Sequence, residues 1–311
     1  MLAAQLVADI APLGNSNPHY LAANGTSLLF AASDRAAGDE LWKTDGTAAG
    51  TVQVKDIRSG TYGSLPRYLT NVNGTIFFRA NDGTNGYELW KSDGTAAGTA
   101  LVKDIRSGTS GSGLANFTNV GGTLFFTAND GTNGYELWKS DGTAAGTVMV
   151  KDIRTGTSGS FPKHLTNFGG KLFFSAYETT DGYELWKSDG TALGTTLVKD
   201  IRTGASGSYP TSFTNSGGKL FFRAFTDAAG YELWKTDGTA IGTVLVKDLR
   251  TGTGSSYPQL MTDVSGTLYF RANDGTNGVE LWKSDGTAVG TILVKDIRAG
   301  ATSSYPSYLT N

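Results

Sequence analysis

The stretch Tyr87-Glu-Leu-Trp-Lys-Ser-Asp-Gly-Thr95, continued by Ala-Ala-Gly-Thr99, decides the fold, because close copies of it occur six times. The chain has six tryptophans, Trp42, Trp90, Trp138, Trp186, Trp234 and Trp282, each 48 residues after the one before. A fixed period with one large aromatic per unit marks a repeat architecture, and it is read before any local signal.

Around Trp90 the unit resolves into short extended runs separated by turn chemistry. Tyr68 to Val72 precedes the turn Asn73-Gly74. Thr75-Ile-Phe-Phe-Arg-Ala80 is rich in β-branched and aromatic residues, and Asn81-Asp-Gly-Thr-Asn-Gly86 is a dense turn signal. Tyr87 to Lys91 and Leu101-Val-Lys-Asp-Ile105 complete the unit. Each run has strand length, each gap holds Gly, Asn or Asp, and no stretch has helical periodicity. The unit therefore predicts a four-stranded antiparallel meander. Ile76, Phe77 and Phe78 are consecutive apolar residues, which predicts middle strands buried on both faces. The expected fold is all-β, a six-bladed β-propeller of four-stranded antiparallel blades with a 48-residue repeat. A β-solenoid is the rival, but its coils are usually shorter.

The longest connection, Arg106-Ser-Gly-Thr-Ser-Gly-Ser-Gly113, is the candidate crossing from the outer strand of one blade to the inner strand of the next. It reads as flexible and polar. One domain over 1–311 is expected, with blades at 18–58, 66–106, 114–154, 162–202, 210–250 and 258–298. Leu6-Val-Ala-Asp-Ile10 reads as a redundant outer strand, and Tyr305-Pro-Ser-Tyr-Leu-Thr-Asn311 as a redundant inner strand.

Composition narrows the function classes. Net charge is −2 and charged residues are 17% of the chain, which offers no basic patch for nucleic acid. There is no cysteine, so disulfide and thiolate metal sites are excluded. The first ten residues lack a basic region and do not read as a signal peptide. No apolar run approaches the roughly 20 residues that span a bilayer. A monomer is expected.

Glu-Leu-Trp-x-(Ser/Thr)-Asp-Gly-Thr-x-x-Gly-Thr, followed by Val-Lys-Asp-Ile, resembles the ELWxxDGT repeat family of large bacterial proteins. The resemblance implies propeller-like repeats in a surface or secreted protein, hence an extracellular or cell-surface setting. It brings no activity with it. The first unit departs most, with Asp39 at the position of Tyr87.

The recurring residues read first as structure. Folding the third strand onto the fourth about the Ser92–Thr99 loop puts Trp90 opposite Leu101 and Glu88 opposite Lys103, a cross-strand pair contributing roughly 0.2–1 kcal/mol. The rival for Glu88 is a catalytic carboxylate, but a catalytic acid need not occur six times. Asp93 reads as a turn acceptor for its own loop. Calcium is the functional alternative, with Asp82, Asp130 and Asp274 as weak metal candidates and no other cofactor expected. Each tryptophan reads as core, with a sugar-stacking platform as the rival.

Positions that vary between units are where one unique site would lie. Arg79, Arg223 and Arg271 occupy one such position, and His164 lies on a predicted inner strand; these four are the ligand-binding candidates. No nucleophile elbow, phosphate loop or zinc-binding helix motif occurs. The expectation is a non-enzymatic scaffold or binding module with protein or glycan ligands. A multivalent glycan-binding lectin is the alternative, and a calcium-stabilised adhesion module or an enzyme is the more distant one.

Overall fold

A computed structural model describes residues 6–311. Its described residues form twenty-four strands and no helix, so no helix is long and apolar enough to cross a membrane. Six antiparallel four-stranded sheets follow one another in chain order, over residues 19–55, 67–103, 115–151, 163–199, 211–247 and 259–295, the arrangement expected of propeller blades. The chain divides into two compact units, one ending at Phe161 and the other beginning at Pro162, each with three sheets.

The second sheet shows how sequence makes the element. Its strands are Arg67–Val72, Thr75–Asn81, Tyr87–Ser92 and Ala100–Lys103. Asn73 and Gly74 both take positive φ, 52° and 83°, the twist that a two-residue hairpin needs. The first pair is in register at Thr70↔Phe77 and again at Arg67↔Arg79, so one extra residue bulges between them. Tyr68 sits in that bulge at φ 61°, and Tyr20, Asn116, His164, Ser212 and Leu260 repeat it at 52–60°. A non-glycine side chain rarely adopts this region, so the bulge re-aims one side chain per sheet.

The core lies between successive sheets. In the first unit, Leu29, Leu41, Val54 and Ile57 of the first sheet pack with Ile76, Phe78, Ala80 and Trp90 of the second. In the second unit, Phe221, Leu233, Val246 and Leu249 pack in the same way with Leu268, Phe270, Ala272 and Trp282. The six tryptophans are all buried, 6–9% exposed, as expected of core. Lysines tie the sheets together as well: the Lys91 ammonium donates to the Gly142 carbonyl at 2.9 Å, and Lys103 to the Thr147 carbonyl at 2.8 Å.

Two expectations need correction. Trp90 does face Leu101, but the next pair is Leu89↔Lys103, because Val102 is an extra residue in the fourth strand. Beyond that bulge Glu88 slips past Lys103, and the cross-strand ion pair does not form. The terminal segments are not strands either. An outer strand pairs with the third strand of its own sheet and an inner strand with the second, and neither segment has such a partner among the described residues. Ile10 packs instead on Phe30, Ala32 and Trp42, while the Leu309 carbonyl accepts the Thr262 hydroxyl at 3.1 Å.

Candidate functional site

The glutamate of the repeat holds the crossing. Glu136 is fully buried, and its carboxylate accepts the backbone N–H groups of Ile153 at 3.2 Å, Arg154 at 3.4 Å and Ser160 at 2.7 Å, plus the Ser160 hydroxyl at 2.5 Å. Glu88 accepts Ile105 N–H at 3.0 Å, Arg106 N–H at 3.3 Å and the Ser112 hydroxyl at 2.7 Å. This explains why the fourth strand stops at Lys103, since the next residues turn to offer their N–H groups to the carboxylate. Burial pushes the carboxyls of Glu88, Glu136, Glu184 and Glu232 up to about 7, against the pull of these donors. The partner serine went unread in the sequence. Its signal was present, a Ser always 24 residues after the Glu, inside a crossing that seemed merely flexible. The crossing is also pinned where Gly86 passes Gly111: a Cβ on Gly86 would lie 2.5 Å from the Gly111 nitrogen.

Asp93 is a turn residue. Its Oδ1 accepts the Thr95 N–H at 2.8 Å and the Thr95 hydroxyl at 2.7 Å, and these bonds hold its carboxyl below the usual carboxylate range. A Cβ on Gly98 would lie 2.1 Å from that oxygen, which accounts for the glycine at this position of every loop. Asp82, Asp130 and Asp274 lie in the loops before the third strand and accept donors of those loops. Asp82 takes the N–H groups of Thr84 and Asn85, both at 2.8 Å, and the Asn85 side-chain amide at 2.7 Å. Asp130 also raises the carboxyl pKa of Asp152, although burial is the larger cause there. Among the described residues no three metal-ligating side chains converge.

Arg79 lies in the first unit, and His164, Arg223 and Arg271 in the second, where Arg223 is close enough to His164 to act on its charge. The Arg79 guanidinium lies over the rings of Tyr68, at 5.3 Å, and Tyr87, at 4.7 Å. Its Nε is buried without a hydrogen-bond partner, and across the strand pair it faces Arg67. Desolvation lowers the Arg79 pKa, and Arg67 lowers it further. Arg223 lies over Tyr231 at 5.3 Å and faces Thr211. Arg271 has its fork occupied, with Nε and a terminal nitrogen donating to the Gln259 Oε1 at 3.2 and 2.7 Å. His164 occupies the bulge of the fourth sheet, where burial, Lys163 and Arg223 lower its pKa. It borders a cavity of about 170 Å³ with Lys163, Ser175, Tyr183 and Tyr209. His19 has its Nε2 3.3 Å from Asp39 and its Nδ1 2.7 Å from the Asn17 carbonyl, so both ring nitrogens are engaged.

No family model and no curated protein matches the chain. It is similar to a solved prolyl endopeptidase, from a study of two such enzymes and the role of inter-domain dynamics in their catalysis and specificity. That likeness has a TM-score of 0.53 and 11% identity, covering 90% of this chain and 42% of that one. A puromycin hydrolase matches at a TM-score of 0.49 and 13% identity, over 89% of this chain and 46% of the other. A puromycin-hydrolyzing peptidase of Mycobacterium tuberculosis matches at 0.47 and 10%, over 90% and 47%. The chain thus spans less than half the length of these solved chains, and at these identities the likeness is one of fold. It corrects the expectation of a surface scaffold or a lectin, because the solved structure it resembles is that of a prolyl endopeptidase.

Proposed function

We propose that the six sheets are the blades of a β-propeller of the peptidase type, which handles peptide substrate and supplies no catalytic group. The fold likeness to the prolyl endopeptidase, covering 90% of this chain but 42% of that one, carries this reading. The engagement of both His19 nitrogens supports the non-catalytic part, because a general base needs one of them for its nucleophile. The test uses fluorescently labelled proline-containing peptides. Saturable binding with a Kd below about 1 mM, without cleavage of the same peptides, is the expected result. Absence of binding by the folded chain across the peptide set contradicts the reading, and cleavage contradicts its non-catalytic part.

A further inference from the structure

We propose that Arg67 and Arg79, with the rings of Tyr68 and Tyr87, form a binding site for a carboxylate carried on an apolar body, as the last residue of a peptide presents one. The site stands on these side chains alone and does not depend on the peptidase reading.

The charges are the first argument. Arg67 and Arg79 are register partners across the first strand pair of the second sheet, so two cations oppose each other there. Like charges directly opposite destabilise a strand pair, and an anion between them removes the repulsion. No carboxylate of the described residues fills that role. Among the described residues neither arginine forms an ion pair within 4.0 Å. Arg67 does act electrostatically on the Asp39 carboxyl, but that carboxylate is 3.3 Å from His19.

The second argument is the state of Arg79. It is half-buried, and its Nε has lost water without gaining a partner. A guanidinium offers a planar fork that matches a carboxylate in bidentate fashion, and such charge-assisted bonds are about twice as strong as neutral ones. The Arg79 Cζ lies over the rings of both Tyr68 and Tyr87, so aromatic surface stands beside the guanidinium. The wall continues as an aromatic row, with Tyr20 at 6.0 Å and Phe117 at 5.8 Å from the Tyr68 ring. An apolar group next to the carboxylate therefore meets ring surface instead of water.

The other variable positions provide contrast. Arg271 donates to Gln259, and Arg223, although its Nε is also buried without a partner, faces a threonine and not a second cation. The paired, unneutralised guanidinium is thus particular to the second sheet.

Calorimetric titration with N-acetylphenylalanine, and separately with its amide, tests the site. The acid is expected to bind saturably, and the amide, lacking the charge, about tenfold or more weakly. Arg79→Gln and Arg67→Gln are each expected to weaken the acid by about tenfold, with Arg223→Gln as the unchanged control. Sodium chloride weakens binding of the acid if the arginines hold it. Equal binding of acid and amide, failure of the acid to saturate, or unchanged affinity in both single variants overturns the proposal. Arg67 is exposed, so its variant keeps the test decisive if Arg79→Gln proves unstable.

Discussion

Glu136 has four hydrogen-bond donors aimed at one buried carboxylate, and each would be left unpaired in its absence. Unsatisfied buried donors cost about 1–3 kcal/mol each, softened where water enters, so Glu136→Ala is expected to lose about 2–4 kcal/mol in urea unfolding. A loss within experimental error would show that the crossing holds without it. The same residues set a pH dependence. The carboxyls of Glu88, Glu136, Glu184 and Glu232 titrate at about 7 in the folded chain against 4.5 unfolded. The folded state therefore holds extra protons between these values. Their contribution to stability is complete below 4.5 and is lost as pH rises through about 7. Asp93 and its equivalents act in the opposite sense but in a lower window, because their carboxyls lie below the ordinary 3.8 of an aspartate when folded. A melting temperature that falls between about pH 5 and pH 8 is expected; one that rises over that range contradicts the assignment. The sixfold recurrence of this glutamate was plain in the sequence, but its partner was not. A single bulged residue, Val102, moves Glu88 past Lys103, and one extra residue reverses which side chains face one another.

At the scale of the element, the loop after the third strand is a closed set of short contacts. The Ser92 hydroxyl meets that of Thr99 at 2.7 Å, and the Thr95 hydroxyl accepts the Gly98 N–H at 3.0 Å while donating to Asp93. Gly98 is glycine for space, since its missing Cβ would collide with the Asp93 carboxylate. Gly98→Ala is expected to destabilise the chain by about 1–3 kcal/mol, the range for overpacking. In an Asp93→Ala background the same change should cost distinctly less, and equal costs in the two backgrounds would refute the contact. Strand and turn signals made this much of the element readable: four strands per unit, hairpin glycines and buried tryptophans. The bulge in every first strand escaped reading because it adds one residue to a run that is already short. It is encoded locally all the same, since Tyr308 keeps φ 54° in a segment that joins no sheet.

For the molecule as a whole, repetition separates what holds the sheets from what distinguishes them. The first five sheets bury the fourth-strand valine and the isoleucine or leucine three residues beyond it, and Val102 and Ile105 are 6% and 8% exposed. Their equivalents in the sixth sheet, Val294 and Ile297, are 44% and 56% exposed. Val102→Thr should therefore cost about 1–3 kcal/mol by burying an unpaired hydroxyl, and Val294→Thr close to nothing. Equal costs would mean that the sixth sheet is covered in solution as the internal ones are. The features present six times, Glu88 with Ser112, Asp93 with Thr95 and the buried Trp90, all serve the scaffold. Unique chemistry falls where the units differ. Arg79 could be singled out in the sequence as one such position, but its unneutralised neighbour Arg67 and its two ring walls depend on register and were legible only in the structure. The number of N-acetylphenylalanine molecules bound per folded chain tests this division most directly. The account expects a stoichiometry of about one, with an affinity that falls about tenfold in Arg79→Gln while the urea midpoint stays put. A stoichiometry near six, one per tryptophan unit, or binding indifferent to Arg79 would contradict it.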